Sequence, residues 1–492
     1  MGVAFDIEEA TILDMQAAFA SGELTSKQLV LAYMSRIADH DKSGLLLNSV
    51  LAINPDALFI AEAMDRERET TGPRGPLHGI PVLLKDNVDT GDKMPTSAGS
   101  LALADSYALE DAFIVKRLRE AGAVILGKAN MTEFANMMTE GMPSGYSSRG
   151  GQVMNPYNIS TPTGGSSAGS GVAVAANFCA AAVGTETSGS ILNPSNLCSV
   201  VGIKPTVGLL SRTGILPLSN TQDTPGPMAR SVTDAVIMLQ AMAGYDERDA
   251  AMGGGIGKQP ADYSAFLKPE GLKGARIGIP RDYYFEELTE EQLAIFDRAV
   301  GIMRDMGATI VDPANIVTAR TIAYSTVLLN EFKVSLNAYL SKRGPGTPMR
   351  TLKDIIAFNN EHPVETLKYG QKTLINAEFH SSGALTDVRY LRDRATDIRL
   401  CKDEGIDATM KKHTLDALLF PADFGSRLAA RAGYPSVAVP AGYTAAGPPF
   451  GVAFTAGAYE EPTLIRLAYA FEQGTKFRRP PSLKSFIARI DR

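Results

Sequence analysis

Between Thr163 and Pro205 the chain reads TGGSSAGSGVAVAANFCAAAVGTETSGSILNPSNLCSVVGIKP. Two small-residue knots, Gly164–Ser170 and Gly184–Ser190, are joined by an apolar run from Val172 to Val183 that only Asn177 interrupts. Flexible linkers share the glycine and serine but not the buried-looking run between them. The knots are therefore expected where backbone amides and hydroxyls approach a ligand closely. A second chemical signal lies upstream, in Leu77-His78-Gly79-Ile80-Pro81-Val82-Leu83-Leu84-Lys85-Asp86-Asn87. The apolar strand Ile80–Leu84 delivers Lys85 with little room to reach solvent, and Asp86 and Asn87 offer it partners. A lysine held away from water gives up its proton readily and can serve as a base near neutral pH. His78, ahead of a Gly-Ile-Pro turn, reads as a structural hydrogen bonder.

Amide hydrolysis needs a nucleophile, a proton carrier for the leaving amine and donors for the oxyanion. No histidine–acid pair stands beside a serine. Gly165-Ser166-Ser167-Ala168-Gly169 matches the letters of a nucleophile elbow, but Ile159–Gly164 supplies no strand to feed one. Serine–lysine chemistry remains. The residues alone leave Ser166, Ser167, Ser170, Ser188 and Ser190 open as its hydroxyls, with Lys85 as base and the amides of Thr187–Ser190 able to turn inward.

The totals narrow the class. With 492 residues, 45% hydrophobic and 21% charged, the chain can bury a sizeable core. A net charge of -6 gives nucleic acid no electrostatic reason to bind. No run of apolar residues is long enough to span a membrane, and the start MGVAFDIEEATILD lacks a secretory pattern, so a cytoplasmic protein is expected. Three cysteines form no CxxC pair, with Cys179 and Cys198 reading as core residues, and five histidines show no metal spacing. No metal and no cofactor are expected.

The elements that must position these residues alternate. Helices are expected over 8–20 and from an N-cap at Thr25, then a strand at Val50–Ile53 and a helix over 55–69. A helix over 111–120 and a strand over 123–127 follow Lys85. Ser231 caps a helix Val232–Met242. A strand at 275–280, a helix over 290–306 and a strand at 309–311 make a βαβ unit. Helices follow over 331–340, 352–358, 368–380 and 387–404. Strands over 415–421, 433–442 and 450–455, then a helix over 463–474, return to the same core. No repeat or linker divides the chain, so one α/β domain is expected.

At this point the sequence resembles the amidase signature family. The family's Lys-Asp after an HGIP strand is met by Lys85-Asp86, its GGSS knot by Gly164–Ser170, and its G-(S/T)-D-x-G-G-S-(I/V)-R segment by Gly184–Ile191. Ser190 follows Ser166 at the family spacing. Asn155-Pro156, Gly202–Thr206, Asp223–Arg230, Ala432–Gly442 and Phe471-Glu472-Gln473 extend the likeness along nearly the whole chain. The resemblance implies a single three-layer α/β/α domain around a mixed, twisted sheet, with residues 1–70 a helical lead-in on the core of 71–492. It implies Ser190 as nucleophile, Ser166 after a cis peptide as relay and Lys85 as base. The amides of Thr187, Ser188, Gly189 and Ser190 would hold the oxyanion, with Ser167, Glu186 and Asp86 in support.

Three departures stand out. Glu186 replaces the usual Asp, Ser188 replaces the first glycine of Gly-Gly-Ser, and Leu192 replaces an arginine. Glutamate keeps an acceptor one methylene longer, whereas losing arginine removes a rigid cationic fork. The stretches flanking both knots are similar to the peptide amidase branch, which implies removal of C-terminal amides from peptides. The alternatives are a broad aliphatic or aryl acylamidase, a glutaminase subunit of a tRNA-dependent amidotransferase, and a noncatalytic protein on the same fold. A monomer or homodimer without an obligate partner subunit is expected.

Overall fold

The computed structural model describes residues 5–322, 324–344 and 346–483. Its frame is one mixed sheet of eleven strands. In chain order these are β1 (Val50–Ile53), β2 (Pro81–Lys85), β3 (Val124–Ala129), then, beyond a small hairpin of β4 (Tyr146–Ser147) and β5 (Gly151–Gln152), β6 (Ala181–Glu186), β7 (Val201–Lys204) and β8 (Thr224–Ala229). The second half adds β9 (Arg276–Gly278), β10 (Thr309–Val311), β11 (Ala417–Pro421), β12 (Ser436–Tyr443) and β13 (Pro449–Thr455). The spatial order is β1-β3-β2-β6-β8-β7-β12-β13-β11-β9-β10, wrapped by helices, the α/β architecture expected from the sequence.

β2 and β6, the strands that end at Lys85 and Glu186, lie side by side, parallel, with Val82 opposite Ala181 and Leu84 opposite Val183. Parallel strands buried on both faces read as continuous apolar runs, and every residue of β2, β3 and β6 is buried. The charged residues of these strands therefore sit where the strands end: Lys85 closes β2 and Glu186 closes β6.

The run Val172–Val183 is not one element. The helix Ala168–Ala175 ends, Asn177 takes a left-handed φ of 58°, and the chain turns into β6. The second residue of that helix is Gly169, where a Cβ would collide with the backbone carbonyls of Asn130 and Ser49.

Caps account for several boundaries. The first helix begins at Ile12 rather than residue 8, because Thr11 and Asp14 form a capping box and Glu9 adopts a φ of 58°. Thr25 caps Ser26–His40 and Ser231 caps Val232–Met242, as their positions predict. The helix expected over 387–404 runs on to His413 through a wider-coiled turn at 398–407. Side chains of the first two helices, among them Ile12, Met15, Leu29 and Tyr33, share one apolar cluster with β2, β3 and β6. Near both ends of the chain, Arg478 holds Glu9 through two hydrogen bonds of 2.7 and 2.8 Å and also caps the carbonyls of Ala175 and Ser199.

No helix among the described residues is long and apolar enough to cross a membrane. Cys179, Cys198 and Cys401 are free and buried, and burial pushes all three thiols up to about 12.

Candidate active site

Three lysines, Lys85, Lys128 and Lys204, are fully buried. Lys204 faces the carbonyls of Tyr434 and Pro205, and Lys128 faces the Val88 carbonyl and the Thr96 hydroxyl. Lys85 alone among them reaches the serine-rich stretch. Its Nζ lies 2.8 Å from Ser166 Oγ, 2.9 Å from Thr185 Oγ1 and 3.0 Å from the Thr185 carbonyl. Burial holds its pKa at about 7, against the partial opposition of the Asp223 and Glu186 carboxylates.

Ser166 follows a cis Gly165–Ser166 peptide and is wholly buried. The bend that presents it is fixed from both sides. The Gly165 amide donates to Asn193 Oδ1 at 3.1 Å, and a Cβ on Gly164, whose φ is +71°, would stand 2.6 Å from that same oxygen. Ser167 ties the two knots together. Its hydroxyl donates to the Thr185 carbonyl at 3.0 Å and accepts from the Thr185 amide at 3.2 Å, while its amide donates to the Ser190 carbonyl at 3.1 Å.

Glu186 shapes the loop that carries Ser190. Its Oε1 accepts from the Gly189 amide at 2.7 Å, and its Oε2 accepts from Ile191 at 2.7 Å and Leu192 at 3.0 Å. One carboxylate thus gathers three amides around a single bend. The amides of Thr187, Ser188 and Ser190 remain outside Glu186's grasp, whereas Gly189, expected among the oxyanion donors, directs its N–H onto Glu186 instead. Ser190 itself is buried but 5% exposed, whereas Ser166 and Lys85 are wholly covered. A cavity of about 720 Å³ opens beside this loop, walled by Asn87, Thr185, Thr187 and Asp223, and a second of about 350 Å³ reaches it at Ser188.

Asp86 is not a partner of Lys85. Successive residues of a strand point to opposite faces, and Asp86 turns away to accept from the Ser97 hydroxyl and the Ser97 and Gly99 amides, with Arg149 3.6 Å off. It anchors the turn after β2. Asn87 returns to the Lys85 side, donating to Thr185 Oγ1 at 3.0 Å. His78 is buried and bonded to the Met64 carbonyl at 2.8 Å, the structural role its sequence position suggests.

Four residues of this network are given no role by the sequence, although Thr185 and Asp223 lie in stretches that resemble the family. The part Thr185 plays shows only once β6 is set beside β2. Asp223, whose carboxylate accepts from Thr187 Oγ1 at 2.6 Å and from the amides of Leu218 and Ser219, is pushed by burial up to about 6. Asn193 and Asp423 meet at 3.1 Å across 230 residues of sequence. Leu192, where arginine was the pattern, is 1% exposed, and the neighbouring Asn193 makes the polar contact to Asp423.

Among the described residues no group of three histidine, cysteine or acidic side chains is placed to hold a metal ion. What the arrangement holds is a buried amine within hydrogen-bond distance of the Ser166 and Thr185 hydroxyls, next to a loop that carries Ser190 and has amides not taken by Glu186.

Comparison with known proteins identifies the family. The family model for amidases matches residues 28–465. The chain is 42% identical to a probable amidase of Arabidopsis thaliana over 98% of this chain and 93% of that one. The crystal structure of the native peptide amidase from Stenotrophomonas maltophilia superposes with a TM-score of 0.90 at 44% identity, covering 97% of this chain and 99% of that one. One subunit of the glutamyl-tRNA(Gln) amidotransferase of Moorella thermoacetica is 33% identical over 94% and 96% of the two chains. The chain belongs to the amidase signature family and is an amide hydrolase.

Proposed function

We propose that the chain deamidates C-terminal peptide amides or closely related carboxamides, releasing ammonia, through an acyl-enzyme on Ser190. Ser190 Oγ attacks the carbonyl carbon and passes its proton to Ser166 Oγ, whose own proton moves to neutral Lys85. The oxyanion is held by loop amides not taken by Glu186. Collapse of the tetrahedral adduct breaks the C–N bond, and the proton returns along the same hydroxyls to the leaving nitrogen. Water then repeats the sequence on the ester and frees the acid.

The observation that carries this reading is the coordination of Lys85. A neutral amine has two N–H bonds and one lone pair. The carbonyl and hydroxyl of Thr185 offer acceptors for both N–H bonds, so the remaining direction, toward Ser166, is where the lone pair can accept a proton. The peptide preference rests on similarity to the Stenotrophomonas peptide amidase and on cavity space of a size that takes a peptide beside Thr187. The lower identity to the amidotransferase chain weighs against a glutaminase that works only with partner chains.

Mass spectrometry on purified protein offered a C-terminally amidated dipeptide, an aliphatic amide, an anilide and glutamine tests the reading, with Ser190→Ala as control. Fast, Ser190-dependent deamidation of the dipeptide is the expected result. Preference for the anilide or aliphatic amide would make the chain a general acylamidase.

A further inference from the structure

The cavity of about 350 Å³ that opens at Ser188 has a composition unlike the rest of the site. Its wall carries the rings of Tyr283, Tyr284 and Phe424 and the carboxylates of Asp423, Glu286 and Glu287. Asp423 is the one that touches the catalytic loop: its Oδ2 lies 3.5 Å from the point a Cβ on Gly189 would occupy. Its Oδ1 accepts from Asn193, and no cation is among the groups that act on it. Burial and the Glu186 carboxylate push it up to about 6. Glu286 is already paired with Arg320, and Arg427, on the same wall, is exposed to solvent. Tyr284, 3% exposed, lines the cavity with a hydroxyl that has no partner among the described residues.

A half-buried carboxylate without a countercharge is costly, and more so beside a loop where negative charge develops during catalysis. An incoming cation removes both costs. Aromatic faces next to a carboxylate are also the chemistry that selects alkylammonium and guanidinium groups. We propose that this cavity is a subsite for an ammonium or guanidinium group carried by the amide substrate, with Asp423 as the residue that pairs with it. The inference rests on the reading of Ser190 as nucleophile toward peptide amides and names the substrate class that reading leaves open.

Two measurements at pH 8 and low salt test it. The first compares kcat/KM for N-acetyl-lysinamide and N-acetyl-norleucinamide, close in size and different in charge, on wild type and Asp423→Asn. The lysyl amide is expected to be at least about tenfold better on wild type, with the advantage shrinking to within about threefold in the variant. The second titrates n-butylammonium chloride, and 1-butanol as its neutral counterpart, into both proteins by calorimetry. Saturable binding of the cation to wild type alone is expected. Either Asp423-dependent preference supports the subsite. Equal handling of charged and neutral partners in both measurements overturns it, as does an advantage that survives Asp423→Asn. Failure to turn over either amide while butylammonium still binds through Asp423 keeps the subsite and sinks the peptide-amide reading instead.

Discussion

Thr185 offers Lys85 two acceptors at once, its carbonyl at 3.0 Å and its hydroxyl at 2.9 Å, and the same carbonyl also accepts from Ser167. A single residue near the end of β6 therefore orients both the amine that β2 delivers and Ser167, which stands at the start of the helix Ala168–Ala175. Strand pairing, more than any one side chain, aims the Lys85 amine at Ser166.

A base with a pKa of about 7 works only after losing its proton. The logarithm of kcat/KM is expected to rise with a slope near one below about pH 7 and to level off above it. Lys85→Ala should lower turnover by about 10²- to 10⁴-fold. A wild-type profile and rate in that variant would remove Lys85 from the mechanism.

Replacing Thr185 by valine keeps the shape and deletes the hydroxyl. A hydrogen bond accepted from the ammonium favours the charged amine, so its loss lowers the Lys85 pKa further. The acid limb of the pH profile should move to lower pH, with a plateau rate reduced about tenfold. A limb that stays in place would mean that the hydroxyl does not face the ammonium in solution.

Ser166→Ala should fold with an unchanged circular dichroism spectrum and a melting temperature within a few degrees of wild type. Its turnover should fall by about 10²- to 10⁴-fold, the scale of a lost proton-transfer group. An unaltered rate would show that Ser190 reaches Lys85 by another route.

Glu186→Ala leaves three buried amides without their acceptor. Each such loss costs about 1–3 kcal/mol, so the variant should melt markedly lower and lose nearly all activity. Glu186→Asp keeps the charge and shortens the reach by one methylene, and intermediate losses are expected. Thermal unfolding and single-turnover rates measured together separate the two effects.

Where polarity and spacing speak locally, the sequence was legible. The apolar strand ending in Lys85, the caps at Thr25 and Ser231, and the βαβ unit of β9 and β10 follow from neighbours a few residues apart. β8 does not. Thr224–Ala229 holds Pro225 and Pro227 and is assigned no element from the sequence, yet it pairs with β6 and β7 in the middle of the sheet. Proline there is unusual for a central strand.

The site shows the same division. Lys85, the two serine knots and Glu186 are marked by type and motif. The choice of Thr185 over Asp86 as the partner of Lys85 depends on which face of a strand each residue takes. The meeting of Asn193 with Asp423 depends on how β11 returns to the core, and no local pattern carries that.

The clasp between Glu9 and Arg478 has a consequence for chain order. It brings the segment before the first helix and the segment after the last one to the same spot, over the carbonyls that end the helix Ala168–Ala175. Contact between these two segments closes a long stretch of the fold on itself in space. A circular permutant that joins these segments with a short flexible linker and opens at an exposed loop such as 445–447 should keep the whole sheet and the Lys85–Ser166 contact.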